Sequence, residues 1–333
     1  MSRYSHAFTV ACVLCIGGLA AGVSPALGAF PGGNGRIAFD SDRDGGDIDI
    51  WTMRPNGSDP INLTANSAAF DGIANWRADG RKIVFQSDRV TATNPNGRFQ
   101  IFVMNADGSD PTQITFTDLN NNDAPAWSPD GRKIVFVRHM NMVPEDPDPG
   151  VDNHDLWTMN ADGSNQRNLT NNPAEDQEPS WSPDGRRIAF TSDRTGSNEV
   201  YTTDPNGSRL RQLTDTPGFD GGANWSPDSR MIAFDTERDG NSEIYKMRAD
   251  GSHPVNLTRN PAFEFVSAWS PNGRKVAFTS DRDASDEHPA NFEVYKMRAD
   301  GSRQMNLTNN PAFDAGPDWQ PRAHGHDRDG GAH

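Results

Sequence analysis

Cysteine is almost absent. The 333 residues contain two, Cys12 and Cys15, both inside an N-terminal apolar stretch. A chain that loses that stretch has neither a disulfide nor a thiol nucleophile, even in an oxidising compartment. Long apolar runs are missing too. The one candidate, residues 7–21, falls short of the roughly 20 residues that a membrane span needs. It follows Arg3 and precedes the small residues around Ala26-Leu27-Gly28, the order of a secretory signal peptide cleaved after Gly28. Residues 1–28 are therefore expected to be a leader, and the mature chain to be secreted or periplasmic. Too little apolar sequence precedes either cysteine for a lipoprotein site. Positive charge is scarce, with 31 Lys and Arg against 46 Asp and Glu and a net charge of −15. Such a surface repels polyanions and excludes nucleic acid as a partner. No G-x-S-x-G, H-E-x-x-H or P-loop pattern occurs, so catalysis has no motif to rest on.

What is present is repetition. One unit, approximately G-R-x-I-A-F-x-S-D-R-D-G-x-x-E-I-Y-x-M-x-A-D-G-S-x-x-x-N-L-T-x-N-P-A-x-D-x-x-P-x-W-S-P-D, recurs from residue 35 to residue 321. Its tryptophans are Trp76, Trp127, Trp181, Trp225, Trp269 and Trp319, and its turn glycines Gly57, Gly108, Gly163, Gly207, Gly251 and Gly301. The period of about 44 to 55 residues lies in the range of propeller blades. Each unit divides into four short strands. In the unit that begins at Asp176, strands A to D are expected over 179–182, 187–191, 199–203 and 212–214. The Ser182-Pro183-Asp184-Gly185 and Pro205-Asn206-Gly207-Ser208 turns separate A from B and C from D. A four-stranded sheet this small cannot bury both faces alone, whereas radial stacking buries them and protects the edges. The expected fold is an all-β, six-bladed β-propeller over residues 29–321, with tryptophans and Ile-x-Phe pairs between blades. The first unit opens at strand B (36–40) and the last ends on strand A (317–320), so the C-terminal strand should complete the N-terminal blade. The tail, 322–333, is polar, rich in glycine and expected to be disordered.

The S-D-R-D-G and W-S-P-D-G patterns, repeated over nearly all of the mature chain, closely resemble the WD-like propeller repeat of the TolB family. The resemblance implies the same propeller. TolB itself carries an α/β domain before its propeller and works with the lipoprotein Pal at the cell envelope. Here Gly35 opens the first blade directly after the leader, so that domain is expected to be absent. Similar blades occur in prolyl oligopeptidase-like enzymes, which need a separate hydrolase domain, and in oligogalacturonate lyases.

Six copies allow shared features to be separated from departures. An acid stands five residues before most tryptophans and an arginine four residues after most strand-B phenylalanines. Grouped by blade they give Asp71 with Arg89, Asp176 with Arg194, Asp220 with Arg238, Glu264 with Arg282 and, through ring closure, Asp314 with Arg43. These are expected to be structural ion pairs near the channel mouth; a cation-holding acidic ring is the alternative. Blade 3 has neither charge, and Asn122 faces Met140. It reads Arg138-His139-Met140 where its neighbours read Ser-Asp-Arg, and its B–C loop, running through 142–150 to His154, is the longest. Blade 2 (91–98) and blade 6 (284–291, with His288) lengthen the same loop. Loops on a rigid scaffold are where binding residues gather.

Asp40-Ser41-Asp42-Arg43-Asp44-Gly45 opens like an EF-hand loop, but Trp51 stands where the bidentate glutamate belongs. No cofactor is expected, and a looser calcium site between carboxylates stays open. Asn62, Asn168, Asn256 and Asn306 fit the N-glycosylation pattern but simply repeat strand D. The expected function is binding or scaffolding by a monomer, with a protein or glycan engaged on the B–C loop face and Arg138, His139, His154 and His288 as ligand-binding candidates. The alternative is a metal-assisted polysaccharide lyase or hydrolase in the channel, where only His139 and His154 could converge.

Overall fold

The structure is a computed structural model that describes residues 29–65, 67–117, 120–139, 153–285 and 291–322. Among these, 24 strands and no helix form six four-stranded antiparallel sheets. Each sheet runs A-B-C-D outward in chain order, except the first. There Asp314–Arg322 pairs beside Gly33–Ser41, followed by Asp49–Met53 and Ile61–Asn62. The closing register sets Ile37 opposite Trp319 and Ser41 opposite Asp314. The last strand reaches Arg322, which pairs with Gly33, so the first residue of the expected tail belongs to the sheet. The leader (1–28) and residues 323–333 lie outside the described residues.

The innermost strands begin earlier than the sequence pattern indicates. Strand A of blade 4 is Asp176–Trp181, starting at the acid rather than three residues after it. The cause is a left-handed residue at its third position, with φ of 56° at Glu178, 54° at Ile73, 45° at Ala124 and 50° at Val266. It shifts the A–B register between Gln177 and Ser180 and breaks the alternation that marks a strand. Left-handed backbone costs a non-glycine residue about 1–2 kcal/mol, and at three of these four positions a cross-blade hydrogen bond holds it in place. Ile73 N donates to Asp40 Oδ2 at 3.0 Å, Ala124 N to Gln86 Oε1 at 3.1 Å and Val266 N to Asp235 Oδ2 at 2.9 Å. Each acceptor sits on strand B of the preceding blade.

The core is seven clusters, six of them one for each gap between blades and the seventh built on Phe265, Val266 and Phe292. Ile188, Phe190 and Tyr201 of blade 4 meet Ala126, Val135 and Leu156 of blade 3. Ile37, Phe39 and Trp319 of blade 1 meet Ala277 and Val294 of blade 6. All six repeated tryptophans are buried, as expected of residues that fill the gaps. The A-D-G-S turn adds a contact of its own. A Cβ on Gly57 would stand 2.3 Å from the Leu307 carbonyl oxygen of the neighbouring blade, and one on Gly163 2.0 Å from that of Ile114. The same glycines take φ of 86° and 83°. The repeat therefore keeps glycine there for two reasons, conformation and close approach.

Candidate functional site

The D–A and B–C loops share one end of the channel, and there the expected charge pairs form. Arg43 Nη2 lies 2.8 Å from Asp314, Arg89 Nη2 2.7 Å from Asp71, Arg194 Nη2 2.7 Å from Asp176 and Arg238 Nη2 3.0 Å from Asp220; Arg282 pairs with Glu264. All five acids are fully buried. Burial pushes the carboxyls of Asp71, Asp176 and Asp314 above their ordinary range, and that of Glu264 up to about 7, against the pull of the arginines. Each guanidinium also covers two rings of its own blade, as Arg194 does over Phe190 and Tyr201 at 5.3 and 4.9 Å.

The Ser-Asp-Arg motif is the apparatus that builds four of the five pairs, and Thr236-Glu237-Arg238 takes its place in blade 5, where Thr236 Oγ1 accepts from Arg238 Nε at 3.0 Å. Ser192 Oγ accepts from Arg194 Nε at 2.9 Å and aims the guanidinium. Asp193 Oδ1 accepts from Glu175 N at 2.9 Å and fixes the entry into strand A. Asp42, Asp88 and Asp281 hold Phe313 N, Phe70 N and Phe263 N in the same way. The sequon asparagines are equally occupied. Asn62 donates to Asp44 and Asp49, Asn168 to Asp155, Asn256 to Asp239 and Asn306 to Asp283.

Blade 3 corrects one sequence expectation. Its arginine is not lost but supplied from two positions earlier in the strand. Arg138 lies over Phe136 and Trp157, with its guanidinium carbon 5.3 and 4.3 Å from the ring centroids, and Nε donates to Asn122 Oδ1 at 2.8 Å. It is buried, so it takes the place of the repeated arginine instead of standing on a binding surface. Met140 and His288 lie outside the described residues.

His139 and His154 do converge. They face each other across strands Lys133–His139 and His154–Asn160, with ring centroids 3.9 Å apart. His139 Nε2 sits 2.6 Å from Asp123 Oδ2, and Gln177 Nε2 donates to His154 Nδ1 at 2.9 Å and to Glu175 Oε2 at 2.9 Å. His154 is fully buried, beneath the surface where the sequence placed it. His139, Glu175 and Gln177 are partly exposed. Among the described residues no group of three or more His, Cys, Asp or Glu could hold a metal ion.

Asp123, Glu175 and Gln177 were not singled out from sequence, yet a signal existed. The second strand-A position reads Gly72, Asp123, Gln177, Gly221, Phe265 and Ala315, and the residue before each acid position reads Phe70, Asn121, Glu175, Phe219, Phe263 and Phe313. Only blades 3 and 4 are polar at both. In blades 2 and 5 the phenylalanine folds over the glycine, where a Cβ would come within 2.9 Å of the Phe70 ring and 2.3 Å of the Phe219 ring. Phe263, Phe265, Phe292 and Phe313 form a chain of ring contacts at 5.3–5.9 Å. The mouth is thus aromatic over blades 5, 6, 1 and 2 and polar over blades 3 and 4.

The profile of the TolB beta propeller domain matches residues 20–146, 148–216 and 209–324. The chain belongs to that family. The Tol-Pal system protein TolB of Bordetella pertussis is 28% identical over a match covering 36% of this chain. The chain spans 35% of the length of this relative and of the TolB proteins of Chlorobium luteolum and Bordetella parapertussis. Among solved structures, TolB from Acinetobacter baumannii superposes with a TM-score of 0.71 at 23% identity, over 96% of this chain and 72% of that one. The oligogalacturonate lyase of Vibrio parahaemolyticus superposes with a TM-score of 0.56 at 12% identity, over 85% and 78%. At these identities the superpositions show the fold alone.

Proposed function

We propose that the protein is an extracytoplasmic binding propeller that engages a protein partner at the ion-pair mouth, over blades 3 and 4. One observation carries this reading. Five blades spend their mouth residues on a buried pair and its supports, and among the described residues blades 3 and 4 add a continuous polar sector of Asp123, His139, Glu175 and Gln177. The name of the Bordetella relative, a Tol-Pal system protein, supports an envelope setting, as does the leader-like N-terminus. The close, tilted imidazoles of His139 and His154 beside Asp123 support the lyase as the second reading.

The test compares two sets of variants of the mature protein. Replacing His139, Glu175 and Gln177 with alanine should abolish retention of the partner from envelope extract. Replacing Asp250 and Ser252, in the turn at the opposite end, should leave retention intact. Reversal of that pattern would place binding on the other face. Retention of polysaccharide instead, or zinc or manganese carried by the purified protein and lost with His139→Ala, would favour the glycan or the lyase.

A further inference from the structure

The opposite end of the channel, ringed by the A–B turns, holds residues 29–32. Ala29 and Phe30 are both 3% exposed, although they lie outside the repeat. Ala29 packs in the gap between blades 5 and 6, with Ala233, Trp269 and Val276. Phe30 packs in the gap between blades 2 and 3, with Val84, Trp127 and Ile134. In a ring of six these two gaps are diametrically opposed, so two consecutive residues span the channel. Backbone bonds fix the segment at its ends: Ala29 N donates to the Trp225 carbonyl at 3.4 Å and Gly32 N to that of Pro271 at 3.2 Å. Asn272 N donates to Asn34 Oδ1 at 3.3 Å where the segment passes into blade 1. Gly32 is needed for the exit, since a Cβ there would stand 2.5 Å from the Arg322 carbonyl oxygen.

We infer that the A–B-turn end of the channel is a docking site for the chain's own residues 29–32, which plug it and clamp opposite blade gaps together. The plug makes the channel a blind well, so any ligand entering it comes through the ion-pair mouth. The occupant is set by fit. The site offers apolar contacts on two opposite sides and backbone carbonyls on the blade 5 and blade 6 side, and Ala29 and Phe30 supply one small and one large apolar side chain.

The mature chain has no native cysteine once residues 1–28 are removed, so thiol protection reports on the plug directly. A thiol introduced by Phe30→Cys should react with iodoacetamide at least about 100-fold more slowly than one introduced at the exposed Pro31, a protection of about 2.7 kcal/mol. Equal rates would overturn the plug. Because Phe30→Cys could itself loosen the segment, hydrogen exchange on the unsubstituted protein provides the second measurement. The Gly32 amide should be protected to the level of the blade strands, and exchange at the rate of an open chain would count against docking. The clamp predicts that Phe30→Ala lowers the melting temperature by about 5 °C or more, and an unchanged melt would contradict it. Failure here leaves the mouth reading untouched, because that is read by partner retention.

Discussion

Arg138 Nε donates to Asn122 Oδ1 at 2.8 Å, the blade 3 counterpart of the acid–arginine pairs in the other five blades. The guanidinium keeps its place over two rings while the acid is replaced by an amide. Asn122 Nδ2 in turn donates to Gln100 Oε1 at 3.0 Å and Thr117 Oγ1 at 2.9 Å. Arg138→Ala should therefore destabilise the protein by about 2–3 kcal/mol, through lost ring packing and an orphaned amide oxygen. A urea-denaturation midpoint equal to that of the parent would show that the contact contributes nothing.

The charged pairs should behave differently. Removing Arg238 leaves Asp220 fully buried without its counter-charge, which costs on the order of 3 kcal/mol. The double variant lacking both groups should be less damaged than the sum of the singles, with a coupling of about 1 kcal/mol or more. Additive losses in a double-mutant cycle would mean that the two groups do not interact.

Asp40 gives the pH dependence. Burial pushes its carboxyl up to about 7, with Asp71 nearby adding to the rise and the Ile73 N–H opposing it. A carboxyl whose folded value lies above its unfolded value binds its proton more tightly when folded. Its contribution is therefore fully present below about pH 4 and is lost as pH rises to about 7. Gln86 fills the same position in blade 2 as a neutral acceptor for Ala124 N. Asp40→Asn should raise stability at pH 7 to 8 by on the order of 1–3 kcal/mol and flatten the profile between pH 4 and 7. An unchanged slope would mean that Asp40 titrates normally.

Ring closure can be tested by removing Asp314–Arg322, the strand that completes blade 1. The loss bares the edge of strand Gly33–Ser41 and takes away Trp319, so cooperative unfolding should give way to aggregation. A truncated chain that melts like the parent would break the closing scheme.

How far the sequence reached is clear from these residues. Blade number, closure and the five pairs were legible because six copies turn spacing into a measurement. Arg138 was not, because its guanidinium reaches the common place from a different position along the strand. The left-handed turns at Ile73 and Val266 were invisible because β-branched residues rarely adopt them. Ala29 and Phe30 carry no repeat and no periodicity, and only the assembled ring shows what they fill. Asp123 and Gln177 required comparison of the second strand-A position across all six blades.

The central claim, that binding sits at the polar sector of the ion-pair mouth, is tested most directly by photo-crosslinking. A photoreactive residue at Glu175 or Gln177, and a matched one at Ser252 on the opposite end, would be irradiated with intact envelope and the adducts separated. The account predicts a discrete protein adduct from Glu175 or Gln177 and none from Ser252. An adduct from Ser252 alone, or none from either end, would contradict it.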